Sequence, residues 1–219
     1  MTNKSDLTGE AGLLFFGRMS ASISHELKNA LAIIKENAGL LSDYIHMMGK
    51  GMSVAPDRFE KIAGRIEAQT RRADAIIKNL NQFAHSMDIP AKSVDLNDIL
   101  ELLVALHRRP AAMRQVELAP RAAGTAVMVT TNPFLLLNLL GLVLAHALHA
   151  VPAGGIMTLA VDVVESEAGF RFQDLRNFAD LPAAHFPGEH ENALLTALNA
   201  KAIIEPKACQ IVVRMPMQP

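Results

Sequence analysis

The stretch AGLLFFGRMSASISHELKNALAIIKENAGLLSDYIHMMG, residues 11–49, contains no proline and repeats its apolar side chains every seven positions. Leu13, Ser20, Leu27, Ile34, Leu41 and Met48 fall on one line, with Phe16, Ile23, Ala30 and Tyr44 beside it. A seven-residue period is two turns of an α-helix that keeps one face against a partner, so this segment is predicted as a single long helix. Gly-Lys-Gly at 49–51 and Pro56 then break the pattern, and a proline suits the first turn of a new helix. The period resumes at Phe59, Ile66, Ala73, Leu80 and Met87, with Ile62, Gln69, Ile76 and Phe83 on the adjoining line. Two long helices and a tight turn make a hairpin. Its apolar stripe is wider than one partner helix covers, which points to two copies pairing as a four-helix bundle.

Ile89-Pro90-Ala91-Lys92 ends the hairpin and the composition changes after it, so the expected domains are 1–92 and 93–219. Asp95-Leu-Asn-Asp98 is a helix-start signature for an apolar segment, Ile99 to Leu106, that is expected to stop near Pro110. Val116–Leu118 and Ala126–Thr130 read as short strands, and Asn132-Pro133 opens an apolar helix to about Ala150. Ile156–Val164 alternates as a strand with Phe170–Leu175 as its hairpin partner, Asn192–Ile203 reads as a helix, and Gln210–Met215 as a last strand. The fold class is therefore α+β: a helical hairpin, then a mixed α/β sandwich.

Composition narrows the function. The 219 residues carry 21 Lys and Arg against 22 Asp and Glu, which argues against a nucleic-acid footprint, and tryptophan is absent with one tyrosine, so stacking platforms are scarce. Apolar runs such as Leu139–Val143 are far shorter than the ~20 residues of a membrane span. Cys209 is the only cysteine, so no internal disulfide forms, and a cytoplasmic, membrane-free location is expected.

The candidate chemistry lies in Ser24-His-Glu-Leu-Lys-Asn-Ala-Leu-Ala-Ile-Ile34. At about 100° per residue His25 sits roughly 200° round from both Ile23 and Leu27, facing away from the buried stripe. A neutral imidazole nitrogen is a nucleophile near neutral pH, and Glu26 beside it is suited to orient the ring or accept its proton. Asn29, about one turn on, offers an amide to a water or a phosphoryl oxygen. Lys28, Ala32 and Lys35 follow His25 at helical spacing. With the hairpin turn centred near Ser53, Asn81 on the second helix is level with His25, which makes these four a candidate partner face.

This stretch closely resembles the H box of sensor histidine kinases, where the motif lies on the first helix of a dimerisation and phosphotransfer hairpin. The resemblance implies that His25 accepts phosphate, that Glu26 is its acid/base neighbour, and that Asn29 is the amide tied to dephosphorylation of a receiver. Ala30 stands where the family usually has proline, which leaves a backbone hydrogen bond intact and the helix straighter. The segment Asn132–Gly155 resembles the kinase N box, but His146 precedes Ala147 where the magnesium-binding asparagine belongs, and Leu142 stands for the earlier asparagine. The best match to the glycine-containing G1 box is Asp174-Leu-Arg-Asn-Phe178, with Arg176 and Phe178 at both glycine positions, and the G2 box is met only by Glu191–Leu198, which has no glycine.

An H box beside three altered nucleotide elements implies a dimeric histidine phosphotransferase of a phosphorelay. ATP is not expected to bind, magnesium is expected on the partner, and the partners are response-regulator receiver domains and a second copy of the chain. A non-catalytic kinase-like regulator, a phosphatase of a response regulator, and a kinase with a reshaped nucleotide site are the alternatives. His146 and His149 share a helix face but lack further ligands for a metal; His107, His185 and His190 read as surface or loop residues, and Cys209 as a small core residue.

Overall fold

The structure, a computed structural model, describes residues 4–178 and 186–217. Helix α1 (Lys4–Gly49) is continuous, and after the turn α2 (Pro56–His85) runs back. On α1 the two heptad lines separate by burial: Ile23 and Ala30 are buried, whereas Leu13 and Met48, the ends of the other line, are exposed. On α2 both lines contribute, with Ile62 and Ile76 of one and Ala73 of the other buried. The turn end is closed by Tyr44 and Phe59, edge to face at 5.8 Å, with the Arg58 guanidinium 5.7 Å from the Tyr44 ring centre.

Packing divides the chain into two compact units that do not coincide with the composition break at residue 92. Residues 18–81 form the hairpin unit, while α1 through Gly17 and everything from Gln82 belong with the sheet. The cause is aromatic. Phe83 is fully buried, with ring centres of Phe15, Phe16 and Phe134 at 5.6, 5.5 and 6.0 Å. Gly141 allows this approach, because a Cβ there would meet His107 Nε2 at 3.0 Å and the Phe15 ring at 3.3 Å.

In the sheet unit, β1 (Lys92–Asp95) leads into α3 (Leu96–Met113), and β1 pairs antiparallel with β3 (Met128–Thr131). Asp95 caps α3 by accepting from the Asn97 N–H and also accepts from the Val127 N–H, both at 3.0 Å. These bonds to the ionised form, that from Asn97 first, hold its carboxyl below the usual range despite partial desolvation. Pro110 does not stop α3. It sits in the last turn, where a missing N–H leaves only one carbonyl without its helical donor, and the helix runs on to Met113.

Helix α4 (Pro133–Ala147) starts where Asn132 accepts from the Leu135 N–H. Leu136, Leu137, Leu139, Leu140, Val143 and Leu144 are all fully buried, so most of the helix surface is enclosed, and only the side of Leu135, Leu142, Ala145 and His146 is less covered. Pro133–Ala150 is apolar and long enough to cross a membrane by composition, and 72% of it is buried inside this unit. Strands β2 (Glu117–Arg121), β4 (Ile156–Val164), β5 (Glu167–Gln173), β7 (Gln210–Pro216) and β6 (Lys201–Glu205) form one sheet in that order. Strand β2 is parallel to β4 and the other pairs are antiparallel.

The helix expected over Asn192–Ile203 is instead α5 (Glu189–Ala197) followed by β6. Asn199 takes φ +49°, the left-handed turn that ends helices, and the β-branched pair Ile203-Ile204 then joins the ladder beside β7. Two further expectations change. His107 is buried rather than exposed, its Nδ1 bonded to the Leu103 carbonyl at 2.9 Å, and burial holds its pKa down. Cys209 is half-buried in a left-handed turn rather than in the core, and His185 lies outside the described residues.

Candidate functional site

The rod that carries the site is fixed by its neighbours in sequence. Ile23 and fully buried Ala30 orient α1, and between them Ser24, His25, Lys28 and Asn29 are exposed while Glu26 is half-buried. Ala32 and Lys35 continue the exposed surface, and Asn81 is exposed on α2. The turn from Gly49 to Pro56 agrees with the centre near Ser53 on which the levelling of His25 with Asn81 rests. Among the described residues, no side-chain hydrogen bond or ion pair joins His25, Glu26, Lys28, Asn29, Lys35 or Asn81 to another of the set. The helix therefore sets one accessible imidazole with a carboxylate next to it in sequence and an amide one turn away, all free to engage an incoming group.

The positions that resemble a nucleotide site sit in the sheet unit. His146, at the end of α4, is half-buried with its imidazole stacked on Phe186, ring centres 4.3 Å apart and planes 12° from parallel. Burial lowers its pKa, the neighbouring His149 lowers it further, and Glu191 opposes both. Leu142 is half-buried one turn earlier. Asp174 adopts φ +68° and its Oδ2 accepts from Thr158 Oγ1 at 2.6 Å. Exposed Arg176 follows it, and these residues with Arg121 and Gly154 line a hollow of about 470 Å3. The segment matched to a glycine-rich loop is helix instead: Gly188 N–H donates to Glu191 Oε2 at 3.0 Å and caps α5.

A leucine at 142 and an imidazole closed over by a phenyl ring at 146 offer no amide oxygen to a hard cation, which takes oxygen ligands. Among the described residues no cluster of three or more His, Cys, Asp or Glu is placed to hold a metal ion. The Phe186 stack is invisible in the sequence, because it joins residues forty positions apart. The burial of His107 has a sequence signal, since it falls on the same helix face as Leu103 and Val104, but periodicity among apolar residues alone does not count it.

Residues 17–87 match the His Kinase A (phospho-acceptor) domain, so the hairpin is of the phospho-acceptor type, and an α/β sheet domain follows it. Among particular relatives, the chain is 24% identical over 149 residues to the sensor histidine kinase ZraS of Klebsiella oxytoca, covering 68% of this chain and 30% of that protein. It is 26% identical over 161 residues to the sensor protein CreC of Escherichia coli K12, covering 70% and 31%. The chain thus spans about a third of the length of these relatives. A solved bacterial phosphotransferase superposes with TM-score 0.48 at 16% identity, covering 92% of this chain and 95% of that one.

Proposed function

We propose that this chain is a histidine phosphotransferase of a phosphorelay, in which His25 carries a phosphoryl group between the aspartates of response-regulator receivers without drawing on ATP. In the receiving step a nitrogen of neutral His25 attacks the phosphorus of an aspartyl phosphate. The P–O bond to the aspartate breaks, its electron pair stays with the carboxylate, and a P–N bond forms. Glu26 holds or takes the proton of the other ring nitrogen. Delivery to a second receiver runs the same step backwards, with magnesium supplied by the receiver's acidic pocket. Lys28, Ala32, Lys35 and Asn81 form the docking surface around the histidine, and the two lysines favour encounter with that pocket.

The observation carrying this reading is the contrast between the two units. The stretch that resembles the H box is intact and its His25 is exposed, while the position of a magnesium-binding asparagine holds His146 under Phe186. We also propose that two copies pair through their hairpins. This is supported by the exposed Leu31, Ile45, Met48 and Ile77, and by an apolar groove of about 420 Å3 lined by Leu41, Phe59, Ile62 and Ile66. The test is to incubate the protein with a labelled, phosphorylated receiver and follow the label. Acid-labile label on His25 that passes to a second receiver supports transfer; receiver binding without label on His25 leaves a non-catalytic regulator, and release of inorganic phosphate without a labelled protein makes it a phosphatase.

A further inference from the structure

The hairpin's inner seam contains two amides among apolar neighbours. Asn37 continues the buried line of Ile23 and Ala30 and is only 4% exposed, and Gln69 lies on the line of Ile62 and Ile76. Asn37 Nδ2 donates to the Ile33 carbonyl at 2.8 Å, but Asn37 Oδ1 and Gln69 Oε1 are both buried without a hydrogen-bond partner. Counted from Ser53, one is sixteen residues before the turn and the other sixteen after, so they lie at the same height in the hairpin. They also border the apolar groove: Leu41 is one turn beyond Asn37, and Ile66 and Thr70 flank Gln69.

Leaving such oxygens unsatisfied is costly, and apolar residues there would have been the simpler way to hold two helices together. Amides placed in an apolar seam instead select one register and one number of chains, because only one arrangement lets them bond each other. We infer that Asn37 and Gln69 form a polar layer with the same two residues of a second copy, and that this layer fixes the register and the two-chain state of the bundle. This rests on the pairing proposed above. With a two-fold axis along the bundle, residues level in one hairpin are level with their equivalents in the other, so four amides meet in one layer. Each has an N–H to spare for a neighbour's oxygen, including Asn37 after its bond to Ile33, so once the two side chains turn toward the partner hairpin every oxygen has a donor to accept from.

The test compares the full chain with Asn37→Leu/Gln69→Leu and with the exchange Asn37→Gln/Gln69→Asn, by sedimentation and thermal unfolding at matched concentration. The expected result is a single dimer for the native chain, a mixture of dimers and larger assemblies with a raised unfolding midpoint for the leucine pair, and a single dimer again for the exchange, which keeps the amides. A native chain that sediments as a monomer overturns the pairing itself. A native dimer whose leucine variant remains a single dimer, at any midpoint, overturns the layer and leaves the pairing standing. If the double variant does not fold, Gln69→Leu alone gives the same reading at the less buried position: mixed assemblies support the layer, and an unchanged dimer overturns it.

Discussion

Replacing Phe83 with alanine is expected to destabilise the sheet unit, although Phe83 lies on a helix of the hairpin. Its side chain is fully buried against three other phenylalanines, at centre distances of 5.5 to 6.0 Å. Truncating a buried phenylalanine removes on the order of 150–200 Å2 of apolar contact, about 4 kcal/mol at ~25 cal/mol per Å2, within the ~3–5 kcal/mol of core Phe-to-Ala changes. Phe15→Ala should lose a comparable amount, since its ring also lies against Gly141. Leu13, 72% exposed, is the control, and its change to alanine should stay within about 0.5 kcal/mol. Urea unfolding at fixed protein concentration reads these values. At a slope of about 2 kcal/mol per M, Phe83→Ala lowers the midpoint by roughly 2 M. Amide exchange locates the effect: in Phe15→Ala, exchange should accelerate in α4 and β4 as well as in the start of α1. A loss below about 1 kcal/mol for Phe83→Ala, or faster exchange confined to α1, refutes the grouping of α1's first turns with the sheet.

Four other outcomes follow from the site and the α3 cap. His25→Ala should abolish phosphoryl transfer and leave the sedimenting mass unchanged, while Lys28→Glu with Lys35→Glu should slow transfer roughly five-fold at low salt, an effect that fades as ionic strength rises; single-turnover transfer from a labelled receiver measures both. Calorimetric titration with ATP and magnesium should give no saturable heat; one site per chain would restore the kinase reading. Asp95→Ala should cost about 1 kcal/mol of stability at neutral pH through loss of the α3 cap. Because the folded carboxyl is held below its ordinary value, this contribution is fully present above the unfolded pKa of about 3.9 and disappears as pH falls through the folded value, so native and variant midpoints should converge in acid.

The parts of the fold legible in the sequence are those set by neighbours along the chain. Seven-residue periods locate α1 and α2, the Asp95 and Asn132 caps locate the starts of α3 and α4, and alternation locates β4. What escapes depends on contacts distant in sequence. Strand β6 reads as helix because Ala200, Ala202, Ile203 and Ile204 fit either period, and only pairing with β7 and the left-handed turn at Asn199 decide between them. Strand β1 carries too little pattern in four residues, and it exists through its ladder with β3. Asn37 escapes because apolar periodicity passes over the one polar residue on its line.

The same division explains why the two halves of the candidate site differ in how far the sequence reaches. A phospho-acceptor histidine needs a rigid helix and exposure, and both follow from a periodic pattern in one segment, so helical spacing alone puts His25 on the outer face. A nucleotide site needs groups from α4, the β5 end and the α5 start to converge, and the sequence shows only which residue types stand at each. The stack of Phe186 on His146 adds what those separate substitutions do not. It brings a bulky ring from the approach to α5 onto the end of α4, so restoring asparagine at 146 alone would leave the phenyl ring beside the new amide. On the proposed reading, recovery of magnesium-nucleotide binding therefore requires changes at 146 and 186 together with glycines at 176 and 178, and His146→Asn by itself should leave the titration with ATP silent.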